Sequence, residues 1–249
     1  MLLAIDIGNT SITLGILKAK KVAKKVQIDS GLKQAILKEK LKKALKKLDN
    51  QYAPEDVVIC SVVPHVLKIV ESAVKMQTGK KVLVVGRDIK VGIKNCYRNP
   101  RQVGQDRLVG AYAALNLYGK PAIVIDLGTA ITFDVVSGKK EYLGGIIVPG
   151  IRLSAESLYQ KTALLPRINI YKPPQLIGKD TEGSILSGIF YGYGEMIKGL
   201  VSKIAKNIEG RPKIIVTGGH ANIMKKFIHK KIDVIDPDLV LKGMFLLMR

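Results

Sequence analysis

The chain has 249 residues, 47% of them hydrophobic, and 41 Lys and Arg against 20 Asp and Glu give a formal charge of +21. Two cysteines and three histidines are too few for a disulfide framework or a zinc site, so Cys60 and Cys96 are expected as buried small residues. No apolar run reaches the roughly 18 residues of a membrane span, and the apolar start, with no basic flank and with Asp6 inside it, is unlike a signal peptide, so a cytosolic protein off the membrane is expected.

Residues 1–16 read as a strand, a tight turn and a second strand, and "KKVAKKVQI" as a third antiparallel strand. Over 33–48, Leu37, Leu41, Leu45 and Leu48 recur at helical spacing among lysines, the pattern of a solvated helix lying on a sheet. "DVVICSVVP" reads as a buried strand, 66–77 as a helix and "KKVLVVG" as another strand. Residues 87–103, punctuated by Gly92, Asn95 and Pro100 and followed by Gly104, read as irregular. "DRLVGAYAALNLYG" is an Ala-rich helix closing on Gly119.

Then the pattern restarts. "PAIVIDLGTAITFDVVSGKKEYLGGIIVPG" reads as three strands, with turns at 127–129 and 137–139. Helices follow near 151–162 and 183–208. "PKIIVTGGHA" is a strand and glycine turn leading into a helix, and "KKIDVI" is a last short strand before a final helix. The order β-β-β-α-β-α-β-α, then β-β-β-α-α-β-α-β-α, points to an internal duplication. The fold class is therefore α/β with two halves, 1–117 and 118–249, divided near 117–120 and meeting across a cleft with an Asp at the mouth of each.

The two acidic hairpins carry the chemistry. In "DIGNT", Asp6 ends a strand, Gly8 permits close backbone approach, and Asn9 and Thr10 expose donors. Such a turn either cradles phosphate oxygens beside a carboxylate that holds Mg²⁺ or is a plain hairpin turn. "DLGTA" repeats the arrangement with Asp126, Gly128 and Thr129. Two carboxylates beside a phosphate chain need cations, which favours a metal–nucleotide over a bare anion. "VTGGHA" adds Gly218 and Gly219 between a strand and a helix, where a purine or its phosphates could approach the backbone.

In this order the three elements resemble the phosphate-1, phosphate-2 and adenosine motifs of the acetate and sugar kinase/Hsp70/actin superfamily. That resemblance implies two ribonuclease-H-like (actin-like ATPase) domains around an ATP cleft. Within the superfamily the chain resembles the type III pantothenate kinases, through "NCYRNPRQVGQDRLVGAYAA", "IDLGTAITFDVV", "GGIIVPGIRLSAESLYQKTALLP" and "DTEGSILSGIFYGYGEMI". The resemblance implies ATP-dependent phosphorylation of pantothenate, the first step toward coenzyme A. It further implies that Asp6 holds Mg²⁺–ATP, with Ile7, Gly8, Asn9, Thr10, Ser11, Ile12 and Thr13 on the phosphates. Thr129 would meet the γ-phosphate, and Asp126 would help bind a monovalent cation, K⁺ or NH₄⁺. Tyr97, Gly104, Gln105 and Arg107 would line the pantothenate site, Thr181 would reach it from a partner subunit, and Asp106 would be the general base. Asp180 stands where the family usually has Asn, which bears on the shape of that loop.

Other readings of these residues stay open. Asp106 could cap the Ala-rich helix, Arg107 could be a surface ion-pair partner, and Tyr97 could be packing. Glu156 reads as part of a solvated helix face, and His65, His220 and His229 have no evident partners. A regulator of gene expression, a kinase for another small hydroxyl substrate and an exopolyphosphatase-type phosphatase are the competing functions. The basic charge fits the first loosely, but no helix-turn-helix, zinc-finger or RNA-binding signature appears, so no nucleic-acid partner is expected. Gly188, Gly192 and Gly199 along one long helix call for a packing reason, and a homodimer with shared active sites is expected.

Overall fold

The computed structural model describes residues 1–228 and 232–248. His229 and the first two residues of "KKIDVI" therefore lie outside the described residues. Packing divides the chain into two units, Met1–Ile93 with Arg98–Ala113 and Asp238–Arg249, and Lys94–Tyr97 with Ala114–Pro237.

The first unit is built on a five-stranded sheet. Strands β1 (Leu2–Ile7), β2 (Ser11–Lys18) and β3 (Lys21–Asp29) form an antiparallel meander. Strands β4 (Asp56–Ser61) and β5 (Val82–Val84) add in parallel on the far side of β1, giving the order β3-β2-β1-β4-β5. Central β1 is buried on both faces, so its alternate residues feed two cores. Leu3, Ile5 and Ile7 pack with Leu37, Leu41, Leu45 and Leu48 of α1 (Gln34–Tyr52) and Val66, Val70 and Val74 of α2 (Pro64–Thr78). Leu2 and Ala4 pack the other way, with Val109 of α3 (Gln105–Tyr118) and Leu241, Met244 and Phe245 of α7 (Leu239–Leu247). Helix α1 runs four residues past its leucine pattern because Tyr52 also packs on the core. It stops at Ala53 in the left-handed region, with Pro54 just beyond.

The second unit repeats the plan. Strands β7 (Ala122–Leu127), β8 (Ala130–Val136) and β9 (Glu141–Pro149) form the meander, and β10 (Lys213–Thr217) and β11 (Val234–Ile235) add in parallel beside β7. The order β11-β10-β7-β8-β9 is that of the first sheet, with β6 (Lys94–Asn95) added at the β9 edge. Ile123, Ile125, Leu127, Ile131 and Phe133 face a core that includes residues of α4 (Ile151–Lys161), α5 (Thr181–Ala205) and α6 (Ala221–Ile228).

Three local expectations change. Residues 87–103 are not wholly irregular, since β6 pairs with β9 and a short 3₁₀ turn spans Pro100–Gln102. Helix α5 starts at Thr181, two residues early, because Asp180 caps it. Cys60 is buried, but Cys96 is exposed because it follows β6 at the edge of the sheet.

Candidate active site

In the first unit Asp6 closes β1 on the face it shares with Leu2 and Ala4, away from the α1 and α2 core. In register it stands across from Thr13 on β2 and Cys60 on β4. The turn that follows is tied at both ends. The Gly8 N–H donates to the Ser11 carbonyl at 3.0 Å, and the Ser30 N–H donates to the Thr10 carbonyl at 3.1 Å. Asn9 and Thr10 at its tip are exposed. A hairpin turn and a phosphate cradle are thus compatible: the base is fixed while the tip can offer donors.

Asp106 lies within the first turn of α3, past the N-cap position. Its Oδ1 accepts the Arg107 N–H at 2.8 Å. Burial raises its pKa above the ordinary carboxylate value, against the opposing pull of the Arg107 N–H and the Arg107 charge. Gly104 makes room for it, since a Cβ there would strike the Asp106 carboxylate. Gly86, at φ +85°, does the same for Gln105, whose Cδ would lie 2.7 Å from an added Cβ. Asp6 and Asp106, far apart in sequence, both act on Cys60. Burial pushes that thiol well up, and the fields of Asp6 and then Asp106 push it further. One small region of this unit therefore holds two carboxylates and an arginine.

The second unit carries the other turn. Asp126 closes β7 across from Thr132 on β8 and Thr217 on β10. From the Asp to its β8 partner the hairpin is one residue shorter than its counterpart, and the Gly128 N–H donates to the Ala130 carbonyl at 3.1 Å. Two further segments buttress it. The Gly150 N–H donates to the Thr129 carbonyl at 3.0 Å, and the His220 N–H donates to the Leu127 carbonyl at 3.1 Å. The His220 ring places Nδ1 3.2 Å from the same carbonyl, which assigns the proton to Nδ1. Burial first, and then the Arg152 charge, lower the pKa of this ring, while the bond to Leu127 raises it. Thr129 is exposed at the tip.

Tyr97 and Thr181 belong to this unit on separate elements. Tyr97 packs 6.4 Å from the Tyr142 ring, centroid to centroid, and 3.6 Å from a Cβ built on Gly144. Beneath it the Tyr142 hydroxyl donates to buried Asp134 at 2.7 Å. Thr181 is exposed at the first position of α5. Asp180, the N-cap, accepts the Gly183 N–H at 2.6 Å. Asn would cap equally well, so the departure from the family pattern leaves the cap intact.

A family model described as type III pantothenate kinase matches residues 2–203. The chain belongs to the type III pantothenate kinase family. It is an ATP-dependent kinase that transfers the γ-phosphate to the hydroxyl of pantothenate, the first step of coenzyme A biosynthesis. Solved structures agree on the fold. The ethanolamine utilization protein EutJ from Carboxydothermus hydrogenoformans superposes with a TM-score of 0.56 at 15% identity, over 98% of this chain and 89% of that one. A ROK family glucokinase from Streptomyces griseus, solved with glucose and AMPPNP, gives 0.56 at 12% identity over 98% of each chain. Component A of (R)-2-hydroxyglutaryl-CoA dehydratase from Acidaminococcus fermentans gives 0.54 at 12% identity, over 98% of this chain and 94% of that one. At these identities the likeness is one of fold, the actin-like ATPase fold with two ribonuclease-H-like domains.

Several residues of the kinase that shape these turns escape a reading of its sequence. Gly150 and His220 hold the second turn from distant segments, and Asp134 and Tyr142 support Tyr97 from inside the sheet. The only sequence signals are a glycine after a strand and a polar residue within an apolar one. Gly218 combines two constraints. Its φ is +92°, and a Cβ would strike the Asp126 carboxylate and lie 2.6 Å from the Leu127 nitrogen. Gly218→Ala is therefore expected to cost about 2–4 kcal/mol, from the left-handed backbone and the overpacking together. Gly219→Ala, with open space around its Cβ position, is expected to stay within about 0.5 kcal/mol of the parent. Urea unfolding of both variants measures the contrast, and equal midpoints would remove the buttressing role of Gly218.

Proposed function

We propose that the two carboxylates of the first unit divide the reaction between them, Asp6 serving the nucleotide and Asp106 the acceptor. What supports this is the shared region at Cys60, where one carboxylate ends a strand beside a donor-bearing turn and the other is raised in pKa beside an arginine. A base must be ionised to take a proton yet basic enough to keep it, and a raised carboxylate answers that need. The Asp106 carboxylate accepts the hydroxyl proton of pantothenate. The hydroxyl oxygen then bonds to the γ-phosphorus as the bond to the β,γ-bridging oxygen breaks, and ADP leaves. Arg107 pairs with the pantothenate carboxylate, Gly104 and Gln105 shape that end, and Tyr97 packs against it. Ile7 and the turn Gly8–Thr13 hold the phosphates, and Thr129 contacts the γ-phosphate.

Asp6 suits a hard cation, being an oxygen ligand at the edge of the core. Asp6 would hold Mg²⁺ together with groups from outside the protein, since among the described residues no three His, Cys, Asp or Glu side chains gather at one point. When bound, Mg²⁺ neutralises phosphate charge. Asp126 would hold K⁺ or NH₄⁺, whose charge would offset its repulsion from phosphate, about 4 kcal/mol for two unit charges of like sign 4 Å apart at an effective dielectric of 20. The kinase acts in the cytoplasm on small anions. No described helix is long and apolar enough to cross a membrane.

Asp106→Asn is the experiment that tests the assignment. The variant is expected to bind ATP as the parent does and to lose roughly 10²–10⁴ in kcat. Because the Asp106 pKa is raised, the acid limb of kcat/KM in the parent lies above the ordinary Asp value of about 3.9. Activity falls as pH drops through it, and the limb is absent from the variant. Stability moves the opposite way. A raised carboxylate favours the fold below its unfolded pKa and loses that contribution as pH rises through the folded value, so the variant is no less stable than the parent at neutral pH. A folded Asp106→Asn kinase with near-normal turnover overturns the assignment.

The cation at Asp126 has its own test. With Na⁺ or a bulky ammonium as the sole monovalent ion, turnover is expected to fall well below that in K⁺, and Asp126→Asn is expected to erase the difference. Equal rates in all three salts would remove the cation from the site.

We further propose a homodimer in which Thr181 completes the partner's acceptor site. Along α5, Gly188, Gly192 and Gly199 are exposed, with nothing within 4 Å of a built Cβ, so packing within the chain does not explain them. If a second copy covers them, Gly192→Ala weakens association. If they face water, the same change leaves association alone and stabilises the helix by about 1 kcal/mol. Sedimentation decides, and a fully active monomer at assay concentration excludes the dimer.

A further inference from the structure

The first unit holds a cavity of about 660 Å³ that no step of the kinase reaction uses. Gln34 at the start of α1 and Pro64, His65 and Val66 at the start of α2 line it. These are long helices, and neither has a side-chain cap at its N-terminus nor an acidic residue in its first turn. Their first N–H groups and the positive ends of two helix dipoles therefore meet at one place. Pro64, which lacks an N–H, occupies the first position of α2 without adding another orphan donor.

Ser30 supplies an independent sign. It lines the same cavity, is 8% exposed, and its hydroxyl has no hydrogen-bond partner among the described residues. A buried hydroxyl left without a partner is costly, and this one can donate to an oxygen acceptor. The neighbouring carboxylate of Asp29 does not fill that place, since its Oδ1 accepts the Gly31 N–H at 2.8 Å. His65 and Lys68 add nitrogen donors, while Leu32 and Ile69 supply apolar wall.

We propose that this cavity binds a short aliphatic carboxylate, its anionic head on Ser30, Lys68 and the two helix starts and its chain against Leu32 and Ile69. A bare anion would use the donors and leave the wall wet, and a neutral apolar guest would leave the Ser30 hydroxyl unpaired. A head and a tail together satisfy both halves. The site reports on the phosphate turn, because the Ser30 N–H holds the Thr10 carbonyl at 3.1 Å. It does not rest on the roles proposed for Asp6 and Asp106.

The probe is hexanoate, titrated calorimetrically into the full chain at low salt with pantothenate present at saturation, which keeps hexanoate out of the acceptor site. Saturable binding is expected. Hexanamide, which keeps the tail and loses the charge, and inorganic phosphate, which keeps a charge and loses the tail, are each expected to bind at least about tenfold more weakly, a difference of about 1.4 kcal/mol. Ser30→Ala and, independently, exposed Lys68→Gln are expected to weaken hexanoate by a similar factor while pantothenate binding stays unchanged. Equal affinity for hexanamide overturns the anion site. Equal affinity for phosphate overturns the aliphatic ligand. Absence of hexanoate binding, or binding indifferent to both substitutions, overturns the proposal entirely.

Discussion

The alternation of side chains along β1 and β7 is the constraint from which the rest of the molecule follows. Both strands are central and buried on both faces, so each residue must have a core to enter or a reason to leave one. On β1, Leu3, Ile5 and Ile7 take one face, which leaves Asp6 with Leu2 and Ala4 on the other. A register slip of one residue would send Asp6 among the leucines of α1, and an unpaired carboxylate there would cost several kcal/mol. The apolar run therefore fixes where the carboxylate points, and the same logic places Asp126 opposite Ile125 and Leu127. Function enters only at the last turn of the alternation, where the face opens and a charge becomes tolerable.

That opening is also why glycines and small turns crowd the site. A carboxylate at the edge of a core leaves little room for a neighbouring Cβ. Gly104 yields to Asp106, Gly218 to Asp126, and Gly150 to the backbone carbonyl of Thr129. Each glycine lets a second segment close on the turn without displacing the acid. The two turns are supported alike. The residue after the third strand of each meander, Ser30 or Gly150, donates to the turn, and the segment after the adjoining parallel strand donates through Val62 to Ile7 or through His220 to Leu127. Each turn therefore depends on the whole of its sheet.

The reach of such contacts sets what a sequence can reveal. The meanders, the amphipathic helices and the Asp-x-Gly turns are written in periods of two and 3.6 within short windows, and they stand in the structure close to where those periods put them. Their boundaries shift where tertiary contacts add a turn, as Tyr52 does for α1, or where a cap sets the start, as Asp180 does for α5. The edge strand β6 was illegible because two residues carry no period, and its partner Tyr142 lies on β9, far along the chain. The same distance hides the support beneath Tyr97 and the bond from His220 to Leu127, since each joins residues that no local pattern relates. The return of α7 to β1 is hidden likewise, because its helix is apolar on most sides and names no particular partner.

The charge of +21 then finds a limited place. Much of it sits on exposed lysines such as Lys38, Lys42 and Lys46 of α1, and the ion pair of Lys43 with Glu39 at 2.6 Å is itself solvated. Exposed charges are screened over about 10 Å at 0.1 M salt, so this field acts on the approach of an anionic nucleotide more than on phosphoryl transfer. At the site proposed for transfer the local sign is reversed, because Asp6 and Asp106 both act on buried Cys60. On the proposed reading, a phosphate chain drawn in by lysines would meet these carboxylates, and bound cations would reconcile the two. On that reading the basic surface and the acidic site are parts of one electrostatic arrangement, in which long-range attraction would set the rate of encounter and the short-range need for cations would set what is held.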